Sequence, residues 1–123
     1  PFTPPTPPYP GAQFIPKLFI PIKGKQTVDY TPAELMANWL AIEIWSQRWR
    51  PPPTTALFFA HKNDPSPQAI NTNFITLEVW GQVIKNLGAP YTPLFVPRKP
   101  SNKPVDLDID FLAVQNWANR LPL

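Results

Sequence analysis

Apolar positions along this chain follow two rhythms. Long stretches repeat every three to four residues, the spacing that lays side chains along a helix face. Between them stand short runs dense in aromatic and β-branched residues, the pattern of strands. The helical rhythm is clearest over 32–49, where Leu35, Met36, Trp39, Leu40, Ile42, Ile44, Trp45 and Trp49 cover most of the circumference. Thr31-Pro32-Ala33-Glu34 opens that helix with a capping hydroxyl, a first-turn proline and a carboxylate three residues after the cap. A narrower stripe of Leu77, Trp80, Ile84 and Leu87 predicts a second helix near 74–87, with Gly88 as its C-cap. Phe111, Val114, Trp117 and Leu121 predict a third near 109–121, capped by Asp108 or Asp110 and ended by Pro122.

The short runs lie near 17–22, 55–60 and 92–97, and they resemble one another. They read LFIPIK, LFFAHK and LFVPRK, and the Leu-Phe pair occurs nowhere else. Leu18, Leu57 and Leu94 are spaced 39 and 37 residues apart, and Trp39, Trp80 and Trp117 follow them by 21, 23 and 23 residues. A near-constant period of this size marks a repeated supersecondary unit. The expected fold is therefore α/β: a single small domain, 14–123, of three tandem strand–loop–helix units over 14–50, 54–88 and 91–121. The three leucines should face the three tryptophans in its core. Pro16, Pro21, Pro93 and Pro97 remove ladder donors, so the strands should be edge-like or should pair between chains.

Residues 1–13, PFTPPTPPYPGAQ, carry no charge and many prolines. Proline fixes φ and lacks a donor, which favours an extended polyproline II arm and excludes helix. Phe2 and Tyr9 are its candidate anchors on a partner. Its PxxP spacings lack a nearby cation, the first being Lys17, so packing on a subunit is expected rather than a signalling-domain ligand.

Composition narrows the function. Hydrophobic residues make up 43% and charged residues 15%, against a typical charged share of about 25%. With five Trp and eight Phe, that is more apolar surface than one small monomer hides, and it favours assembly with other protein subunits. The absence of cysteine excludes disulfides, thiol catalysis and thiolate metal sites. No apolar run approaches the ~18 residues of a membrane span. The opening residues do not show the charged-then-apolar pattern of a secretion signal.

Candidate chemistry is thin. His61, the single histidine, has only Lys62 and Asp64 beside it and reads as a loop residue. Asp106, Asp108 and Asp110 alternate, but without the glycine and distal glutamate of a calcium loop they read as helix-capping groups. Lys23, Lys25, Lys62, Arg98, Lys99 and Lys103 follow the repeated runs and form the one candidate basic patch. Asp29, Asp64 and Asp106 in the same loops offset it, so nucleic acid is not the expected partner. No catalytic constellation and no cofactor are expected. The sequence favours a non-enzymatic assembly protein with an extended N-terminal arm, an architecture shared with virion components such as capsid-decoration, neck and tail proteins. The alternative is an adaptor that grips nucleic acid or an acidic protein through the basic loops.

Overall fold

Each of the three helices begins at a proline: α1 spans Pro32–Trp49, α2 Pro67–Lys85 and α3 Pro104–Arg120. The first N–H groups of a helix have no intrahelical acceptor, so a proline there loses nothing and pre-sets φ. At α1 the capping is reciprocal. Thr31 Oγ1 accepts from Glu34 N at 3.2 Å, while Glu34 Oε1 accepts from Thr31 N at 2.9 Å. At α2, Ser66 Oγ accepts from Ala69 N at 3.2 Å. The computed structural model describes residues 17–49, 56–88 and 91–121.

Two predicted helix boundaries are corrected. The second helix starts at Pro67 rather than near 74, and the third at Pro104 rather than near 109. Asp108 and Asp110 therefore lie inside α3, and Lys103 occupies its N-cap position. The turn-forming residues of NDPSPQAINT and PSNKPVDL hide these starts, although Ser66-Pro67 and Lys103-Pro104 repeat the Thr31-Pro32 signal. The second helix ends at Lys85 with Asn86 as its C-cap. Gly88 follows at φ +106°, a left-handed conformation suited to glycine.

Counted from the prolines, the helices share one register. Leu35, Ile70 and Leu107 are equivalent, as are Trp39, Phe74 and Phe111, then Ile42, Leu77 and Val114, then Trp45, Trp80 and Trp117; all twelve are buried. Two of these layers are closed aromatic triangles. Trp39, Phe74 and Phe111 have ring centroids 4.8, 5.0 and 5.3 Å apart. Trp45, Trp80 and Trp117 meet edge to face at 5.9, 6.1 and 6.3 Å, with interplanar angles of 71°, 70° and 80°. Offset and edge-to-face pairs are the favoured aromatic geometries. The triangles sit six residues apart, about 9 Å at ~1.5 Å per residue. Three helices can share both only if they run parallel and in register.

Trp39 is thus not the counterpart of Trp80 and Trp117; Trp45 is. In the first unit the helix proline stands 14 positions after the Leu-Phe leucine, and in the other two it stands 10 positions after. Aligning on the leucines therefore displaces the first helix by four residues, about one turn.

The α/β expectation is overturned: among the described residues there are three helices and no strand or sheet. The runs at 17–22, 56–60 and 92–97 are non-strand segments whose backbone bonds to helix side chains. Leu18 N donates to Asn119 Oδ1 at 2.9 Å and Leu18 O accepts from Asn119 Nδ2 at 3.1 Å. Ile20 N donates to Gln115 Oε1 at 2.9 Å, and Ile22 exchanges two bonds with the Asn38 amide, both at 3.0 Å. In the second segment, Phe59 N donates to Glu43 Oε2 at 2.7 Å and His61 O accepts from Asn73 Nδ2 at 3.0 Å. In the third, Val96 N donates to Glu78 Oε2 at 2.7 Å and Arg98 N to Asp110 Oδ1 at 2.9 Å. Buried backbone groups need partners. With prolines interrupting the first and third segments and a helix on either side of each, side chains supply them.

The first segment thereby bridges α3 and α1, the second α1 and α2, the third α2 and α3. Three helices and three segments alternate in a closed ring about a pseudo-threefold axis. Each segment runs against its helices, as the first shows by passing from Asn119 late in α3 to Asn38 early in α1. Parallel helices require this return path. A helix of 18 residues spans about 27 Å at ~1.5 Å per residue, and an extended chain covers that in roughly eight residues at ~3.3 Å each.

Candidate functional site

The segments alternate in and out, and the outward residue is the same each time. Leu18 and Ile20, Leu57 and Phe59, and Leu94 and Val96 are buried, whereas Phe19, Phe58 and Phe95 between them are 68%, 68% and 72% exposed. Four residues beyond each Phe stands a lysine whose ammonium lies over the ring: Lys23 at 4.2 Å, Lys62 at 4.3 Å and Lys99 at 5.1 Å. Each ammonium also reaches the helix oxygen that holds the segment backbone, with Lys23 on Gln115 at 2.8 Å, Lys62 on Glu43 at 3.0 Å and Lys99 on Glu78 at 3.1 Å. One clasp, Phe–Lys–Glu/Gln, is built three times. The apolar pattern does not point to Glu43, Glu78, Gln115 or their partners Asn38, Asn73 and Asp110. Their signal is recurrence at fixed distances after the helix prolines.

The clasp gives a test. Gln115 already does with an amide what Glu43 does with a carboxylate. Glu43→Gln is therefore expected to cost less than about 1 kcal/mol, while Glu43→Ala orphans the buried Phe59 N–H and costs about 2–3 kcal/mol. Urea unfolding of both variants separates them; equal losses would mean that the charge, not the acceptor, matters.

Exposed apolar helix residues lie beside two of these rings, Ile44 by Phe19 and Val79 and Val83 by Phe58, while Leu40, Ile75, Ile109 and Leu112 are further exposed apolar positions on the helices. Two flanks are concave. The first, about 350 Å³, lies between Phe19 and α1 and has Lys17 and Arg48 on its border. The second, about 300 Å³, lies between Phe58 and α2 and has no charged residue among the described residues of its lining. A third hollow, about 530 Å³, sits where the helix N-termini converge, floored by Leu35, Ile70 and Leu107 and bordered by Asp29, Asp64 and Lys103. Its mixed charge and apolar floor offer no nucleophile–base pair.

The leucines and tryptophans expected in the core, Leu18, Trp39, Leu57, Trp80, Leu94 and Trp117, are all buried. The arm anchors Phe2 and Tyr9 lie outside the described residues. The basic residues are divided among the flanks, most of them held by neighbours. Lys25 pairs with Glu34 at 2.8 Å, Lys62 with Glu43 at 3.0 Å and Lys99 with Glu78 at 3.1 Å, while Arg98 stands 3.9 Å from Asp106. Lys23 is on Gln115, and Lys103 is exposed beside the N-terminal hollow.

The three aspartates of α3 diverge. Asp106 accepts from Ser101 Oγ at 2.6 Å, Asp108 from Gly24 N at 2.6 Å, and Asp110 from Arg98 N. Among the described residues no group of three His, Cys, Asp or Glu side chains could hold a metal ion. No helix among them is long and apolar enough to cross a membrane.

Among the described residues Asp110 is a fully buried carboxylate at the position of Asn38 and Asn73, and its Oδ2 has no hydrogen-bond partner among them. Burial pushes its carboxyl up to about 6, with Asp106 adding to the rise, against the Arg98 N–H and the nearby Lys99 and Arg98 charges.

No family model, no curated protein and no solved structure matches the chain.

Proposed function

We propose that this chain is a non-enzymatic structural protein that packs with other subunits into a larger oligomer through its apolar flanks and N-terminal arm. The class proposed for it is a virion component of the capsid-decoration, neck or tail type, by analogy with an apolar body carrying a proline-rich arm. The observation that carries the reading is the outward phenylalanine repeated on all three flanks. Folding requires the inward residues of each segment, and it gains little from a Phe two-thirds exposed to water. Exposed apolar patches of this kind mark interaction surfaces. The competing adaptor reading is weakened by the carboxylates already beside Lys25, Lys62, Arg98 and Lys99.

Light scattering tests the proposal. The full chain is expected at a multiple of its monomer mass, nearly unchanged between low and moderate salt. Deletion of 1–13 should lower that mass without altering the helical circular-dichroism signal, because among the described residues the helices and their core cluster stand from Leu18 onward. A stable monomer at high concentration would overturn the assembly reading. Association with DNA that collapses with salt would support the adaptor instead.

A further inference from the structure

We propose that the uncharged segment 1–13 of one copy seats in the groove between Phe58 and α2 of a second copy. The inference rests on the assembly reading and names the surfaces involved.

Three observations support it. The first is chemical match. Segment 1–13 contains no charged residue, and none is found among the described residues that line the groove, Leu57, Phe58, Thr76, Val79, Trp80 and Val83, although Lys62 stands over the Phe58 ring at 4.3 Å. That nearest charge, the Lys62 ammonium, is already paired with Glu43. Extended proline-rich segments pack well against exposed aromatic rings, and they lose little conformational entropy in doing so. Phe58 presents such a ring, 68% exposed, and Val79 beside it is 59% exposed. The first groove is a poorer receptor because Lys17 and Arg48 border it.

The second observation is where the described chain starts. Lys17 precedes Leu18, which bonds to Asn119 near the end of α3, and from there the chain runs toward the helix N-termini. Lys17, where the described chain starts, therefore lies at the end where the helices finish, on a different flank from the Phe58 groove. The third is length. Ten residues of polyproline II extend about 31 Å at ~3.1 Å each, and such segments are semi-rigid, so a sharp return onto the same body is disfavoured. A neighbour at that end lies within reach.

A donor segment and an acceptor groove on the same chain make a head-to-tail interface. Such interfaces close into rings or run on as filaments. Each copy gives one arm and receives one.

Complementation between full-length variants tests this. Phe2→Asp with Tyr9→Asp disables the donor, and Val79→Glu, at an exposed helix position, disables the acceptor. Each variant alone is expected to be monomeric by light scattering, with the helical signal of the parent. Mixed, they are expected to form a one-to-one complex, because each retains the half the other lacks. A synthetic peptide of residues 1–13 should bind the donor-disabled chain and lose at least about tenfold in affinity when Val79→Glu is added. If the parent associates but Val79→Glu associates equally and the peptide does not bind, the groove assignment falls while the assembly reading stands. If the parent is monomeric and the peptide fails to bind, both fall. If the parent is monomeric and the peptide binds only the donor-disabled chain, the arm occupies its own groove, and the second copy is excluded.

Discussion

Asp110→Asn is expected to stabilise the protein near pH 8 and to remove most of the pH dependence of its stability between about pH 4 and pH 7. In the folded chain Asp110 is fully buried and its carboxyl is raised to about 6, while an unfolded aspartate titrates near 4. The folded state therefore holds a proton that the unfolded state has released. A group raised in this way contributes its full stability below the unfolded value, and that contribution is lost as pH rises through the folded one. Two pKa units correspond to about 3 kcal/mol as an upper bound.

The other two units show what the site favours. Asn38 and Asn73 stand at the equivalent positions and donate their amides to Ile22 O and His61 O. A protonated Asp110 mimics Asn, whereas an ionised one has an oxygen with no donor facing it among the described residues. Denaturant unfolding of both proteins at about pH 4 and about pH 8 decides the matter. The variant should be ahead by about 1–3 kcal/mol at the higher pH, with the gap closing at the lower. A gap independent of pH would show that Asp110 does not titrate in this range.

Trp117→Ala should be severely destabilising, at about 3–5 kcal/mol. It opens the Trp45–Trp80–Trp117 triangle and breaks the 2.8 Å bond from Trp117 Nε1 to Thr92 O, which ties the third segment to α3. Trp39→Phe should behave differently. Its equivalents are Phe74 and Phe111, and its buried Nε1 has no acceptor among the described residues. Removing an unsatisfied donor offsets the lost volume, so stability should stay within about 1 kcal/mol of the parent. Urea midpoints with unchanged slopes would measure both. If Trp39→Phe is as costly as Trp117→Ala, the indole of Trp39 fills space that a phenyl ring cannot.

The candidate site was half visible in the sequence. The Leu-Phe pairs and their trailing lysines can be aligned by eye, and their spacing suggests a repeated unit. That Phe19, Phe58 and Phe95 point outward cannot be read the same way, because the pattern Leu-Phe-apolar is buried-looking throughout. The carboxylate and amide clasps were less legible still. Glu43 looks like a polar interruption of an apolar helix until Phe59 N–H is placed against it.

The sequence by itself determined the start of α1, because the Thr31 cap, Pro32 and Glu34 are a local preference needing no distant partner. By contrast α2 and α3, expected from near 74 and 109, start earlier, at Pro67 and Pro104. It also determined most of the helix residues that are inside, through their 3.6-residue rhythm, with Leu40, Ile44 and Leu87 exposed instead. Only the tertiary structure decided that the extended runs form no sheet. Whether an extended N–H meets a neighbouring strand or a side chain depends on what lies beside it. Leu18 meets Asn119, 101 residues away along the chain. The same holds for the register of the tryptophans. A four-residue insertion before α1 leaves every local propensity intact, yet it changes which indole completes the triangle.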